Sequence, residues 1–227
     1  MLFCEEKNIL HISKREVRGM DAAAVLKERF ELREITPGKY RTMGSLMMRF
    51  RLEQYEVDGL GNLCVLRTKA MLGLMKLVTV VVTPSSGKNV PFLLIDTMDM
   101  GKKHLCYVEY YDCTAAGADR DLLLAAGAPY ADVADYAEKP AWYVSERMAG
   151  SLIKTGDRAR LEQMALDALA AYREQAAAAP VNAENIVGLR AFQRQMVREG
   201  NPSTAALTRT LGKEGAEAFF QTVVMPV

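Results

Sequence analysis

The chain has 227 residues and is 50% hydrophobic, enough for one sizeable core and for the expectation of a single domain spanning 1–227. Its 29 Lys and Arg balance 28 Asp and Glu to a net charge of +1, which gives no overall field for gripping a polyanion, so nucleic acid is not an expected partner. Four cysteines without a CxxC pair and only two histidines leave almost no ligands for a metal site and suit free thiols in a cytoplasmic setting; the early acidic residues Glu5 and Glu6 and the charge-interrupted apolar runs suit neither a signal peptide nor a membrane span.

Lys14 to Leu32 carries Val17, Met20, Ala24, Val25 and Phe30 among charges, the pattern of an amphipathic helix that stops ahead of Pro37-Gly38. From Leu46 the texture becomes that of strands: Leu46 to Val57, Leu63 to Ala70, Leu74 to Thr83, Phe92 to Met100 and Lys103 to Asp112. Turns at Asp58-Gly59-Leu60-Gly61-Asn62 and Met100-Gly101-Lys102 separate them, and connections this short require antiparallel neighbours. Ala115 to Pro140 reads as an irregular excursion with a short helix near Arg120 to Ala126, after which the chain turns helical. Asp157 is placed to cap a helix with Leu161, Met164, Ala165, Ala168 and Tyr172 on one stripe, and Asn182 to cap another that ends at Gly200. Asn201-Pro202 starts a third helix that stops near Gly212, and Glu214 to Val224 is helical again. Strands flanked by helices at both chain ends give an α+β fold.

Period-two alternation puts Val65, Arg67 and Lys69 on one face, while the strand at Met75 to Thr83 is apolar on both and should lie centrally, covered on both sides. Arg49, Arg51, Arg67, Lys69 and Lys76 either hold an anionic ligand or sit in solvent at strand edges. Arg190, Arg194 and Arg198 share a helical stripe suited to an acidic partner or to simple solvation. The phosphate-loop look of Ser85-Ser86-Gly87-Lys88 fails, since the first glycine is missing and no helix follows. Trp142-Tyr143 and the methionines Met47, Met48, Met71, Met75, Met98 and Met100 suit either a pocket lining or core filling.

The run Met75-Lys76-Leu77-Val78-Thr79-Val80-Val81-Val82-Thr83-Pro84, six residues, then Val90-Pro91-Phe92-Leu93-Leu94-Ile95-Asp96 resembles the central signature of the ferredoxin-dependent bilin reductases. Leu189-Arg190-Ala191-Phe192-Gln193-Arg194-Gln195, Asn201 and Leu211-Gly212-Lys213-Glu214 through Phe220 resemble the family's closing helices in order and spacing. The resemblance implies a three-layer α/β/α sandwich whose central antiparallel sheet, flanked by helices, encloses a linear tetrapyrrole (bilin). It implies an oxidoreductase with no bound metal or flavin and with ferredoxin as external electron donor.

Asp96 falls at the family's principal proton-donating aspartate, a role that suits a carboxyl group whose proton affinity is raised by desolvation; the structural alternative is an aspartate that bonds turn amides before Met100-Gly101. Thr79 stands where members reducing a vinyl group carry histidine, Arg67 where they carry glutamate, and Asn201-Pro202 where some carry a second aspartate. An amide does not replace an acid as proton donor. Arg67 and Lys69 are then candidate anchors for a ligand carboxylate, with Thr79 and Asn201 also at substrate-binding positions; a solvent-facing Arg67 is the alternative. These departures leave open whether the chain is an enzyme or a non-catalytic binder of a tetrapyrrole or another flat anionic ligand.

Overall fold

The computed structural model describes residues 20–137, 148–201 and 203–227. Helix α1 (Ala22–Lys27) is capped by Asp21, whose carboxylate accepts from the Ala24 amide at 3.1 Å. The expected helix from Lys14 begins outside the described residues and does not reach Leu32. Leu32–Glu34 instead forms strand β1, with Leu32 opposite Val57. Backbone partners on a distant strand outweigh a local helical pattern there.

The remaining strands are β2 (Thr42–Gly44), β3 (Met48–Val57), β4 (Gly61–Ala70), β5 (Met75–Thr83), β6 (Phe92–Met100), β7 (Lys103–Tyr111) and β8 (Met148–Thr155). They form one antiparallel sheet in the order β1-β3-β4-β5-β6-β7-β8, with β2 also paired to β3. The meander from β3 to β7 matches the sequence expectation closely, because glycine turns punctuate it; Gly101, at φ 64°, closes the β6–β7 hairpin. Strand β8 corrects the expectation that the chain is helical after the excursion. Its Ala149-Gly150-Ser151 run has little strand propensity, but it pairs the open edge of β7. Residues 134–136 lie along β8's other edge, where the Tyr136 amide donates to the Ile153 carbonyl and the Thr155 amide to the Ala134 carbonyl, both at 2.9 Å.

Alternation sends Leu63, Val65, Val80 and Ile95 into one core, beneath α1, α2 (Asp121–Ala125) and α3 (Arg158–Ala178). Helix α3 is capped by Asp157 and buries the anticipated stripe of Leu161, Met164, Ala165, Ala168 and Tyr172. The opposite face sends Leu52, Cys64, Val81 and Phe92 into a second core, against α4 (Asn185–Glu199), α5 (Thr204–Phe219) and a π-helical turn at Phe220–Val224. Gly212, at φ 74°, breaks α5 where the sequence places a stop. The fold is therefore the α+β sandwich expected, with helices on both faces of an antiparallel sheet.

Buried polar residues fasten the C-terminal layer to the sheet. The Asn62 side chain donates from Nδ2 to the Val223 carbonyl at 3.1 Å, and Gln54 Nε2 donates to Asn62 Oδ1 at 2.8 Å and to the Thr222 carbonyl at 3.3 Å. These carbonyls lie at a helix end, where intrahelical partners run out, so side chains from β3 and β4 supply the donors. Gly188 lets α4 approach closely: a Cβ there would lie 2.0 Å from the Cys113 carbonyl oxygen. Asn62→Ala is expected to cost about 1–3 kcal/mol, because it strands the Val223 carbonyl in the core. The check is a urea titration, with a lower midpoint at unchanged slope as the expected result.

Candidate functional site: a pocket beneath the C-terminal helices

Strands β4, β5 and β6 bring Leu66, Thr79 and Asp96 side by side on the face toward α4 and α5, with Leu66 opposite Thr79 and Thr79 opposite Asp96. Along the same face of β6, Leu94 and Phe92 continue the wall. The roof comes from Met196 of α4, Leu207 of α5, and Phe220 and Val224 of the π-helical turn, with Asn201 and Ser203 at the α4–α5 connection. Phe92, Tyr111 and Phe192 meet at one end, with ring centroids 5.4–6.0 Å apart.

Among the lining residues described, Asp96 is the one carboxylate in a largely apolar enclosure. Desolvation raises its pKa to about 6, and the hydrogen bond that it accepts from Thr79 Oγ1 at 2.5 Å works in the opposite direction. A carboxyl group so placed can hold a proton near neutral pH and release it to a ligand in the pocket. Burial pushes the Cys64 thiol up to about 12, so the sulfur lining this pocket stays protonated. The enclosed space is about 70 Å³.

Asp96, Thr79 and Asn201, expected from sequence at one site, are brought together here. Asp96 is tied to Thr79 rather than to turn amides. Asn201 serves local structure as well: its Oδ1 accepts from the Ser203 amide at 3.0 Å, while Ser203 takes the cap position of α5, and Pro202 lies outside the described residues. Asn182 acts similarly ahead of α4, accepting from the Glu184 amide at 3.0 Å.

Arg67 and Lys69 are not part of this site. Arg67 stands opposite Val78, one residue out of phase with Leu66, so it projects to the α3 face, where its Nη2 donates to the Met20 carbonyl at 3.2 Å. Lys69 shares that face and is exposed. The sheet itself separates both cations from Asp96, and neither can pair with it or anchor a ligand in contact with it.

The sequence reading did not single out Leu207, Phe220 or Tyr111 as lining. Their signal was the apolar spacing of helix and strand, which marks a buried face without saying what lies across from it. Buried Glu109, opposite Leu94 on β7, is a second acid on the pocket's side of the sheet, marked in sequence only as a lone carboxylate in an apolar strand. Met47, Met71 and Met100 are exposed, and none of the six methionines weighed as a lining borders the pocket. Trp142 and Tyr143 lie outside the described residues.

The raised pKa of Asp96 has a defined sign for stability. The folded state binds the proton more tightly than the unfolded chain, so stability is highest below the unfolded value of 3.8 and falls as pH rises through about 6. Asp96→Asn removes the ionisation, so the variant should match the wild type at about pH 3, below the unfolded value, and exceed it by about 2–3 kcal/mol at pH 8. Denaturant unfolding of both proteins at the two pH values checks this, and an equal difference at both would refute it.

No family model and no curated protein matches the chain. Among solved structures, phytochromobilin synthase from tomato in complex with biliverdin matches with a TM-score of 0.65 at 13% sequence identity, over 89% of this chain and 80% of that one. At that identity the likeness is one of fold, an antiparallel sheet with helices packed on it.

Proposed function

We propose that the pocket accepts an open-chain tetrapyrrole of the biliverdin kind and that Asp96 gives it a proton while a ferredoxin-type donor supplies electrons one at a time. The observation that carries this reading is a carboxyl group with a pKa of about 6 in an apolar pocket, on a fold whose solved counterpart was crystallised with biliverdin. Reduction of one double bond consumes two electrons from the external donor and two protons. Asp96 supplies one proton and is recharged from solvent; the second comes from water, since no other carboxylate lines the pocket among the described residues.

The enclosed 70 Å³ is well below the roughly 300–1,000 Å³ of small-molecule sites, so binding requires the helical roof to move away from the sheet. Met196, Leu207 and Phe220 belong to that moving wall, while Asp96 and Thr79 stay fixed on adjacent strands. A second reading, binding without reduction, is favoured by Thr79, Arg67 and Asn201 standing where the resemblance expects proton-relay groups. The displacement of Arg67 to the far face adds to it.

A visible absorption titration with biliverdin, followed by anaerobic addition of reduced ferredoxin and its reductase, separates the outcomes. The expected result is a perturbed bilin spectrum that shifts in steps on reduction, with Asp96→Asn still binding but reduced roughly a hundredfold more slowly. Binding with no change on reduction supports the carrier reading. An unperturbed spectrum rules out both, and undiminished turnover by Asp96→Asn removes the role assigned to Asp96.

A further inference from the structure

We propose that the α3 face carries a second ligand site, a cleft for a compact phosphate-bearing polyanion, independent of the pocket at Asp96. The cleft has a volume of about 230 Å³ and lies between the ends of β4–β7, the first turn of α3 and Met20. Arg67, Lys69 and Lys76 line it together with Val78 and Leu161, so a cationic wall adjoins an apolar one.

The charges there are balanced at one end only: Lys76 stands opposite Asp99 of β6, and Asp99 is shared with His104 and Arg158. Arg49 stands directly opposite Lys69, and Lys69 directly opposite Lys76, which makes a row of like charges across β3, β4 and β5. Opposed side chains in a sheet sit about 4.5–5.5 Å apart at Cβ, and like charges so placed repel. In the next row Arg51 stands opposite Arg67, and both reach the same Glu53 carboxylate at 3.8 Å.

The acids that border the cleft are already engaged. Asp99 is hydrogen-bonded to His104 Nδ1 at 2.8 Å and lies 3.4 Å from Arg158, and Glu162 pairs with Arg158 at 2.9 Å. Arg49, Lys69 and Lys76 make no ion pair among the described residues, in a chain whose net charge is only +1. A bound anion would relieve the repulsion along the row.

The size of the cleft narrows the class of ligand. It lies under the roughly 300 Å³ at which drug-sized sites begin, and Arg67, Lys69 and Lys76 favour a compact anion with more than one charge. A diphosphate or a phosphate ester meets that demand, with arginine offering a forked donor and the lysines point charges.

Inorganic pyrophosphate is the probe, read by thermal unfolding and by calorimetric titration at low ionic strength. The expected result is a saturable rise in Tm that weakens as salt is added. The double variant Lys69→Ala with Lys76→Ala should bind about tenfold more weakly and, without ligand, should melt no lower than the wild type. A control altered at Arg190 and Arg194, exposed on α4, should bind as the wild type does. No Tm rise beyond that of sodium chloride at equal ionic strength, or equal binding by the lysine variant, overturns the proposal. An equal response to citrate overturns the assignment to phosphate chemistry.

Discussion

A sheet covered on both faces denies its central strands any side that opens directly to water, so each polar group on them must find a partner within the protein or border a cavity. Most of β4, β5 and β6 obeys this with apolar residues pointing both ways, Val80 and Ile95 into one core and Val81 and Cys64 into the other. The polar exceptions therefore carry meaning. Gln54, Asn62 and Thr83 spend theirs on the carbonyls of the C-terminal turn, a structural use. Thr79 and Asp96 spend theirs on each other at the wall of a cavity, with no backbone partner for either side chain among the described residues.

The same alternation partitions charge. Asp96 faces one layer and the cations of β3–β5 face the other, so the two chemistries cannot meet on one small ligand. A bilin held against Asp96 would have to find partners for its propionates outside the Arg67–Lys69 pair. A threonine beside the carboxyl is also a weaker aid to proton transfer than a titrating side chain, because its hydroxyl steadies the ionised form.

Much of the layout was legible in the sequence where local chemistry decides it. Gly59, Gly61 and Gly101 bounded the hairpins, Asp157 and the Leu161–Tyr172 stripe announced α3, and Gly212 marked the break in α5. What failed was whatever depends on partners far along the chain. Leu32–Glu34 and Met148–Thr155 are strands because β3 and β7 have edges to fill, and their own residues do not say so. Arg67 stands in the sequence as either a ligand anchor or a solvent-facing arginine, because spacing gives the alternation within a strand but not which neighbour a register selects. Leu66, not Arg67, lies opposite Thr79, and that single residue of phase moved the expected anchor to the far side of the sheet.

The margins of the sheet have a consequence for how copies of the chain meet. At one margin β1 is only 3 residues long and carries Arg33 and Glu34; at the other, residues 134–136 run along β8 and Lys154 donates to the Val133 carbonyl at 3.0 Å. Among the described residues the first margin is too short to template a strand from another molecule, and the second is covered near residues 153–155, which limits edge-to-edge aggregation of the native protein. That protection is assembled late, since β8 and its cover must travel back to β7 across the whole excursion after Tyr111. Until they arrive, β7 is a sticky template, and it is the partly folded chain, not the finished one, that is exposed to misassembly.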